Sequence, residues 1–289
     1  MKKCFALLLA AVLLLVCCVP AAAAEVLPED VPQLRLAAHR GYSAAAPENT
    51  LAAFCAAGEA GYFACECDIY PTADGKWVVL HDATIDRTTN GSGRATDQTY
   101  DALSSYRVDG GENLAAYPDE HLPELGEYLA VCNAYGMASV IEVKGGGSAE
   151  MEDLAARLTA EADVSRVYLV ATDKDNLCTL NRLLPDANVF LLTYFTLPGD
   201  IAFCKDNGLD GIDFCCPLTP AITAAAIRHA DLRCAVWTVN AAVTAKYLSL
   251  YGVEFVTTNG LASPLTGFWR TVVNTWNVIV GLVYDLLAR

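Results

Sequence analysis

The sequence predicts an α/β fold, a (β/α)8 TIM barrel with a small insertion subdomain after the second strand. Three observations carry this expectation. Eight short runs rich in strand formers, at 35–38, 64–70, 139–144, 167–171, 189–193, 211–213, 234–238 and 254–257, alternate with longer runs rich in Ala and Leu. No G-x-G-x-x-G follows the first strand, which disfavours an open doubly wound sheet. The chain of 289 residues, less a short leader, has the size of one barrel.

The helical runs are 50–60, 125–135, 150–162, 174–184, 198–207, 220–230 and 241–251, so each strand leads towards a helix. The rhythm breaks once. Between the second strand and its helix the chain runs from 71 to 122, far longer than the few residues usual in such a loop. This insertion holds a short strand candidate at 77–80 and then a polar stretch rich in Gly and Thr. Long insertions at the C-terminal ends of barrel strands border the active site, so this one is expected to be functional.

The two ends read differently from the middle. Lys2 and Lys3 precede an apolar run from Phe5 to Val19, and Pro20 with Ala21 to Ala24 offers a small-residue cleavage site. That is the anatomy of a signal peptide over 1–24, and it implies a secreted or cell-surface protein; a retained anchor is the alternative. The barrel is then expected over 34–267. The apolar, aromatic segment 268–289 reads as the final barrel helix or as a helix lying on a membrane surface.

The net charge of −15 argues against nucleic acid, because nothing neutralises phosphates in bulk. An anionic small-molecule substrate would need a local cationic site. Cys4, Cys17 and Cys18 fall in the leader, which leaves nine of the twelve cysteines. An odd number inside apolar strands and helices reads better as buried small side chains than as bridges. There is no C-x-x-C, so a zinc site has no support.

The chemistry lies in the strand ends. In the run Ala64-Cys65-Glu66-Cys67-Asp68-Ile69, side chains alternate, so Glu66 and Asp68 project together, opposite Cys65 and Cys67. On the next strand Glu142 and Lys144 share a face in the same way. Three carboxylates converging at the rim of a barrel repel one another unless a cation holds them, and hard oxygen ligands suit Mg2+ or Ca2+. The alternative is an ion pair of Glu142 with Lys144 and no metal. Only four histidines exist in the chain. His39 directly follows the first strand and His81 ends the short one, which puts both at the catalytic face; His121 and His229 read as solvated or packed. An imidazole pair supplies the base and the acid that phosphodiester cleavage requires, and Arg40 with Lys144 can neutralise charge on phosphate oxygens.

Taken in order, His39-Arg40-Gly41, Pro47-Glu48-Asn49-Thr50, Glu66-x-Asp68, Asp74-Gly75, Val78 to His81-Asp82, Arg87-Thr88-Thr89-Asn90-Gly91 and Glu142-Val143-Lys144 form a set that resembles the glycerophosphodiester phosphodiesterase family. The motifs cover 39–144; beyond them the likeness rests on barrel rhythm and Trp237. The resemblance implies a metal-dependent hydrolase that cleaves a small-molecule glycerophosphodiester to glycerol phosphate and an alcohol. It implies His39 and His81 as the acid–base pair, Glu66, Asp68 and Glu142 as ligands of the divalent metal, and Arg40 and Lys144 as phosphate contacts. It also implies that Trp237 packs against the substrate's alcohol part, an ordinary core tryptophan being the alternative. Glu48 and Asn49 resemble organisers of the first loop, Asn49 being a good N-cap type. The run Thr257-Thr258-Asn259-Gly260 departs from the Thr-Asp usual in the family. Gly145-Gly146-Gly147 is either a cradle for an anionic group or a loose loop. The rival readings are a lysophospholipase D acting on membrane lysolipids, motivated by 268–289, and a surface binding barrel without turnover. No protein partner is expected.

Overall fold

A computed structural model describes residues 35–216 and 220–260. Residues 1–24, expected to be a leader, and the apolar segment 268–289 lie outside these described residues. Among the described residues nine strands occur in chain order: β1 (Arg35–Ala38), β2 (Ala64–Pro71), β3 (Trp77–Val79), β4 (Ala138–Val143), β5 (Val167–Ala171), β6 (Asn188–Thr193), β7 (Gly211–Cys215), β8 (Arg233–Trp237) and β9 (Phe255–Thr258). All but β3 run parallel to their neighbours, and β1 pairs with both β9 and β2, so the sheet closes on itself. The helices that pack around the barrel are α1 (Leu51–Glu59), α2 (Leu125–Tyr135), α3 (Ser148–Glu161), α4 (Lys174–Leu183), α5 (Pro198–Asp206), α6 (Pro220–His229) and α7 (Ala242–Ser249). The (β/α)8 barrel read from the sequence is therefore the fold, with strand bounds within two residues of those expected.

The alternation of side chains divides the core into two parts. Outward-facing Cys65, Cys67, Ile69, Ile141, Leu169, Leu191, Ile212 and Val256 pack beneath the helices. Inward-facing Ala37, Ala64, Ala138, Val140, Tyr168, Val170, Phe190, Ala235 and Phe255 fill the barrel itself. Small residues on some staves leave room for three rings on others. Tyr168 and Phe255 meet edge to face at 5.2 Å, and Phe190 lies 5.9 Å from Tyr168 and 6.4 Å from Phe255. Below them Arg233, the first residue of β8, lies over the rings of Phe190 and Tyr168, 5.2 and 5.5 Å from their centres. Its Nε donates to Glu254 Oε2 at 2.7 Å, and the Tyr168 hydroxyl donates to Glu254 Oε1 at 2.8 Å. The lower half of the barrel is thus plugged, and the open cavity lies at its upper mouth.

The chain between β2 and α2 builds a separate layer over that mouth. β3 turns back antiparallel on β2, with Ile69 opposite Val79 and Pro71 opposite Trp77. Val78, Leu80, Ile85, Ala95, Tyr100, Leu103 and Leu122 form its own small core. This explains how so long a segment stays ordered without belonging to the barrel rhythm. Among the described residues all nine cysteines are free, and Cys65, Cys67, Cys132, Cys204 and Cys234 are buried. No helix of the described residues is long and apolar enough to cross a membrane.

The plug has a pH signature. Burial alone would raise the Glu254 carboxyl, but its bonds from Arg233 and Tyr168 hold it below the usual value. A depressed carboxyl stabilises the fold above its unfolded value of 4.5 and loses that contribution as the pH falls through the folded one. Glu254→Gln is therefore expected to be less stable than the parent at pH 7, with the gap narrowing below pH 4.5. Denaturant unfolding across that range checks it, and a gap that does not change with pH would contradict it.

Candidate active site

The first loop sets one side of the mouth. After β1 the backbone turns sharply, with Arg40 at φ 55° and Gly41 at φ 75°. Gly41 is required there, because an added Cβ would sit 2.7 Å from the Ala53 carbonyl carbon of α1. The turn directs the Arg40 N–H at Glu66 Oε2, 2.7 Å away. It also leaves His39 at the rim, where Nδ1 lies 2.6 Å from Asn259 Oδ1. With that oxygen accepting, Nδ1 carries the proton and Nε2 is free. The departure at Asn259 therefore falls directly on His39, whose partner is a neutral amide. Burial, then the charge of Arg40, lowers His39 to about 4, so the imidazole is neutral at pH 7.

Asn49 does not cap α1. Thr50 does, its hydroxyl accepting from the Ala53 N–H at 3.2 Å. Asn49 instead adopts a left-handed conformation, φ 56°, and donates its side-chain amide to Asp68 Oδ2 at 2.9 Å. A polar residue that suits a cap is here diverted to a buried carboxylate.

The second and fourth strands bring the acids together. In the parallel register Asp68 lies opposite Glu142, and Glu66 opposite Val140. One carboxylate oxygen each from Glu66, Asp68 and Glu142 all fall within 4.8 Å of one another. Lys144 Nζ is 3.0 Å from Asp68 and 3.3 Å from Glu142, so the Glu142–Lys144 ion pair exists, but one ammonium is shared by two acids. Among the described residues no ion pair reaches Glu66. Burial, then Asp68 and Glu142, raises the Glu66 carboxyl; burial and Asp68 raise Glu142 to about 8. Burial would raise Asp68 too, but Lys144, His81 and Arg40 hold it below the usual range. Three acids with too little positive charge between them, all with oxygen donors, fit a hard divalent cation such as Mg2+ or Ca2+. The ion pair without metal leaves Glu66 with a backbone N–H but no cation among the described residues.

His81 belongs to the insertion yet reaches the same cavity as His39. Its Nδ1 lies 2.6 Å from Asp82 Oδ1, and an ionised carboxylate only accepts, so Nε2 is again the free nitrogen. Arg87 donates to Asp82 at 2.6 Å and to Glu48 at 2.7 Å, and Glu48 accepts from Arg40 at 2.9 Å. Arg40 Nε in turn lies 3.5 Å from Asp68. This chain of alternating charge ties the insertion to the barrel.

The cavity they surround is an open one of about 400 Å3, solvent at its mouth included. His39, Arg40, Glu66, His81, Glu142 and Lys144 line one side, and Val170, Leu192, Tyr194, Asp213, Trp237 and Thr257 line the other. Trp237 is a wall residue rather than a purely core one: it is half-buried and packs edge to face on Tyr194 at 5.1 Å. Every residue singled out for chemistry in the sequence borders this cavity except Asp68, which is buried just behind it. His121 pairs loosely with Glu127 at 3.9 Å, and His229 sits in the last turn of α6, both away from the cavity. The Gly147 N–H is already taken by Glu150 Oε2 at 2.9 Å, so that amide is not free for an anion.

Comparison with known proteins shows the family. A family model described as the glycerophosphoryl diester phosphodiesterase family matches residues 39–262. The chain belongs to that family. It is 42% identical over 109 residues to glycerophosphodiester phosphodiesterase 1 of Rattus norvegicus, covering 37% of this chain and 33% of the relative. It is 40% identical over 110 residues to a glycerophosphodiester phosphodiesterase of Caldanaerobacter subterraneus, covering 38% and 44%. The matches thus span less than half the length of these relatives. In fold it is similar to an Oleispira antarctica phosphodiesterase solved with the product sn-glycerol-3-phosphate, with a TM-score of 0.73 at 22% identity over 86% of this chain and 97% of that one. It is also similar to a glycerophosphodiester phosphodiesterase from Agrobacterium tumefaciens, with a TM-score of 0.67 at 20% identity over 83% and 99%.

Asp213 is the cavity residue that reading the sequence missed. Its signal was the same as that of Glu66: an acid flanked by Ile212 and Phe214 on a strand, hence inward-facing. Its nearest acid, Asp210, stands three residues away and so not on the same strand face, and no cluster drew notice to it.

Cation binding is expected to raise the unfolding temperature, since a ligand at about 100 times its dissociation constant stabilises by roughly 2.7 kcal/mol. Glu66→Gln should lose most of that rise while its metal-free form is no less stable than the parent, because one repelling carboxylate is gone. Thermal unfolding with and without Mg2+ or Ca2+ tests this. An undiminished rise in the variant would remove Glu66 from the metal site.

Proposed function

We propose that this chain is a metal-dependent phosphodiesterase that hydrolyses glycerophosphodiesters to glycerol phosphate and an alcohol. The observation that carries the reading is the gathering of Glu66, Asp68 and Glu142 within 4.8 Å beside a cavity lined by two imidazoles and two cations. Glu66, Asp68 and Glu142 would hold Mg2+ or Ca2+, which when bound polarises a phosphoryl oxygen and offsets its charge. Arg40 and Lys144 face the same space and bind the remaining phosphate oxygens.

The two histidines divide the proton work. His39 is neutral, partnered by an amide, and offers a free Nε2; this suits a base that takes the proton from the attacking water or from a hydroxyl of the substrate. The Asp82 carboxylate accepts from Nδ1 of His81 and fixes the orientation of the ring, which suits the acid that protonates the departing alkoxide. Arg87 holds Asp82 in place and so orients His81. The apolar floor of Val170 and Leu192 limits water around the phosphate and strengthens these charges. The leader-like residues 1–24 support placement outside the cell or on its surface. The membrane-lysolipid reading rests on 268–289 and finds no support in the cavity.

His39→Ala and His81→Ala should each reduce kcat on glycerophosphocholine by about 10²–10⁴, and chelation of the metal should abolish turnover. Bis(p-nitrophenyl) phosphate, whose leaving group needs no proton, is expected to relieve the defect of His81→Ala but not that of His39→Ala. Rescue of the opposite variant would exchange the two roles, and full activity under chelation would overturn the metal-dependent reading.

A further inference from the structure

The wall facing the acidic cluster holds polar groups that no part of the mechanism above uses. Round the barrel the order is β1, β2, β4, β5, β6, β7, β8, β9, so β7 lies diametrically opposite β2, and β8 opposite β4. Asp213 projects from β7 and is 3% exposed. Its register neighbours on either side are Leu192 of β6 and Ala235 of β8, both apolar. Among the described residues no cation pairs with it, and its Oδ1 has no hydrogen-bond partner. One layer nearer the mouth, Trp237 Nε1 and Thr257 Oγ1 are likewise buried without partners, and all three residues line the one cavity.

Orphaned buried polar groups destabilise a fold unless something completes them. Three that border one cavity, an indole donor, a hydroxyl and a carboxyl, form a complementary set. Burial, with no cation to oppose it, raises the Asp213 carboxyl to about 8, so near pH 7 it is mostly protonated and able both to donate and to accept. A group of that kind matches an alcohol, which also does both, and poorly matches a phosphate already held by cations on the far side. The spacing across the mouth agrees: the acids and Lys144 take the phosphoryl end, and the β7–β9 wall faces what is attached to it.

We propose that Asp213 is a specificity residue whose carboxyl, with the Trp237 indole N–H and the Thr257 hydroxyl, recognises the free hydroxyl groups of the substrate's glycerol moiety. This rests on the glycerophosphodiesterase reading of the site. It adds a polar, hydroxyl-counting role to a wall whose tryptophan alone suggests only apolar packing.

The test compares Asp213→Leu and Asp213→Asn with the parent on glycerophosphocholine and on bis(p-nitrophenyl) phosphate, which has no hydroxyl. Calorimetric binding of sn-glycerol 3-phosphate and of inorganic phosphate to the metal-loaded proteins runs alongside. Asp213→Leu should lower the ratio of the two kcat/KM values by about 10²-fold, and Asp213→Asn, which still donates and accepts, by less than about tenfold. The preference for sn-glycerol 3-phosphate over phosphate should collapse in the Leu variant. Its unfolding temperature should equal or exceed that of the parent, because an isolated buried acid has been removed, and this separates a lost contact from a lost fold. An unchanged ratio, equal losses on both diesters, or a retained glycerol 3-phosphate preference would overturn the proposal. A parent that leaves glycerophosphocholine intact would instead sink the catalytic reading, and the binding preference would still judge Asp213. Should Asp213→Leu fail to fold, the Asn variant and Thr257→Val carry the same comparison.

Discussion

Three carboxylates forced into mutual contact at the mouth of a closed barrel are the constraint on which the rest of the site depends. Glu66, Asp68 and Glu142 cannot all be ionised within 4.8 Å of one another without positive charge among them. The protein supplies part of it: Lys144 bridges two of the acids, Arg40 lends its guanidinium to Asp68, and the Arg40 N–H and the Asn49 amide donate directly. The deficit left at Glu66 is what a divalent cation would fill. Much of the surrounding loop geometry follows from it. Arg40, Gly41 and Asn49 all adopt positive φ because the chain must turn its N–H groups and side chains down onto these acids.

The second imidazole poses a different problem, since it comes from outside the barrel. His81 sits on a layer with its own small core, and a layer of that kind could drift relative to the staves beneath it. The sequence of charges Asp68, Arg40, Glu48, Arg87, Asp82 and His81 spans the gap. Individually such partly exposed pairs contribute little to stability. Linked, they fix where His81 stands relative to the acids, which is a matter of geometry more than of energy.

The barrel interior is graded from bottom to top. Three rings capped by Arg233 and Glu254 close the lower end, Val170 and Leu192 form an apolar floor, and charged groups ring the mouth on one side. Asp213 stands out within this gradient as an acid placed in an apolar layer. Its position opposite the phosphate side gives a place where a burial cost is balanced by recognition of the ligand rather than by another part of the protein.

By itself the sequence determined the fold class and picked out many of the residues that border the cavity. Period-two alternation put Glu66, Asp68, Glu142 and Lys144 on the inner face, and strand ends put His39 and His81 at one end, because these depend only on local backbone geometry. Trp237 came from resemblance, and its wall position was settled by the packing of Tyr194. Three things needed the tertiary structure. Asn49 has the chemistry of a cap, and only the approach of Asp68 shows why Thr50 caps instead. Asn259 meets His39 across 220 residues of chain, a contact made by β9 closing against β1 and by no local pattern. Asp213 resembles any inward acid until the closed barrel shows that, among the described residues, no cation pairs with it. In each case the deciding partner is remote in sequence, so the ring closure that brings it near is also what gives the residue its role.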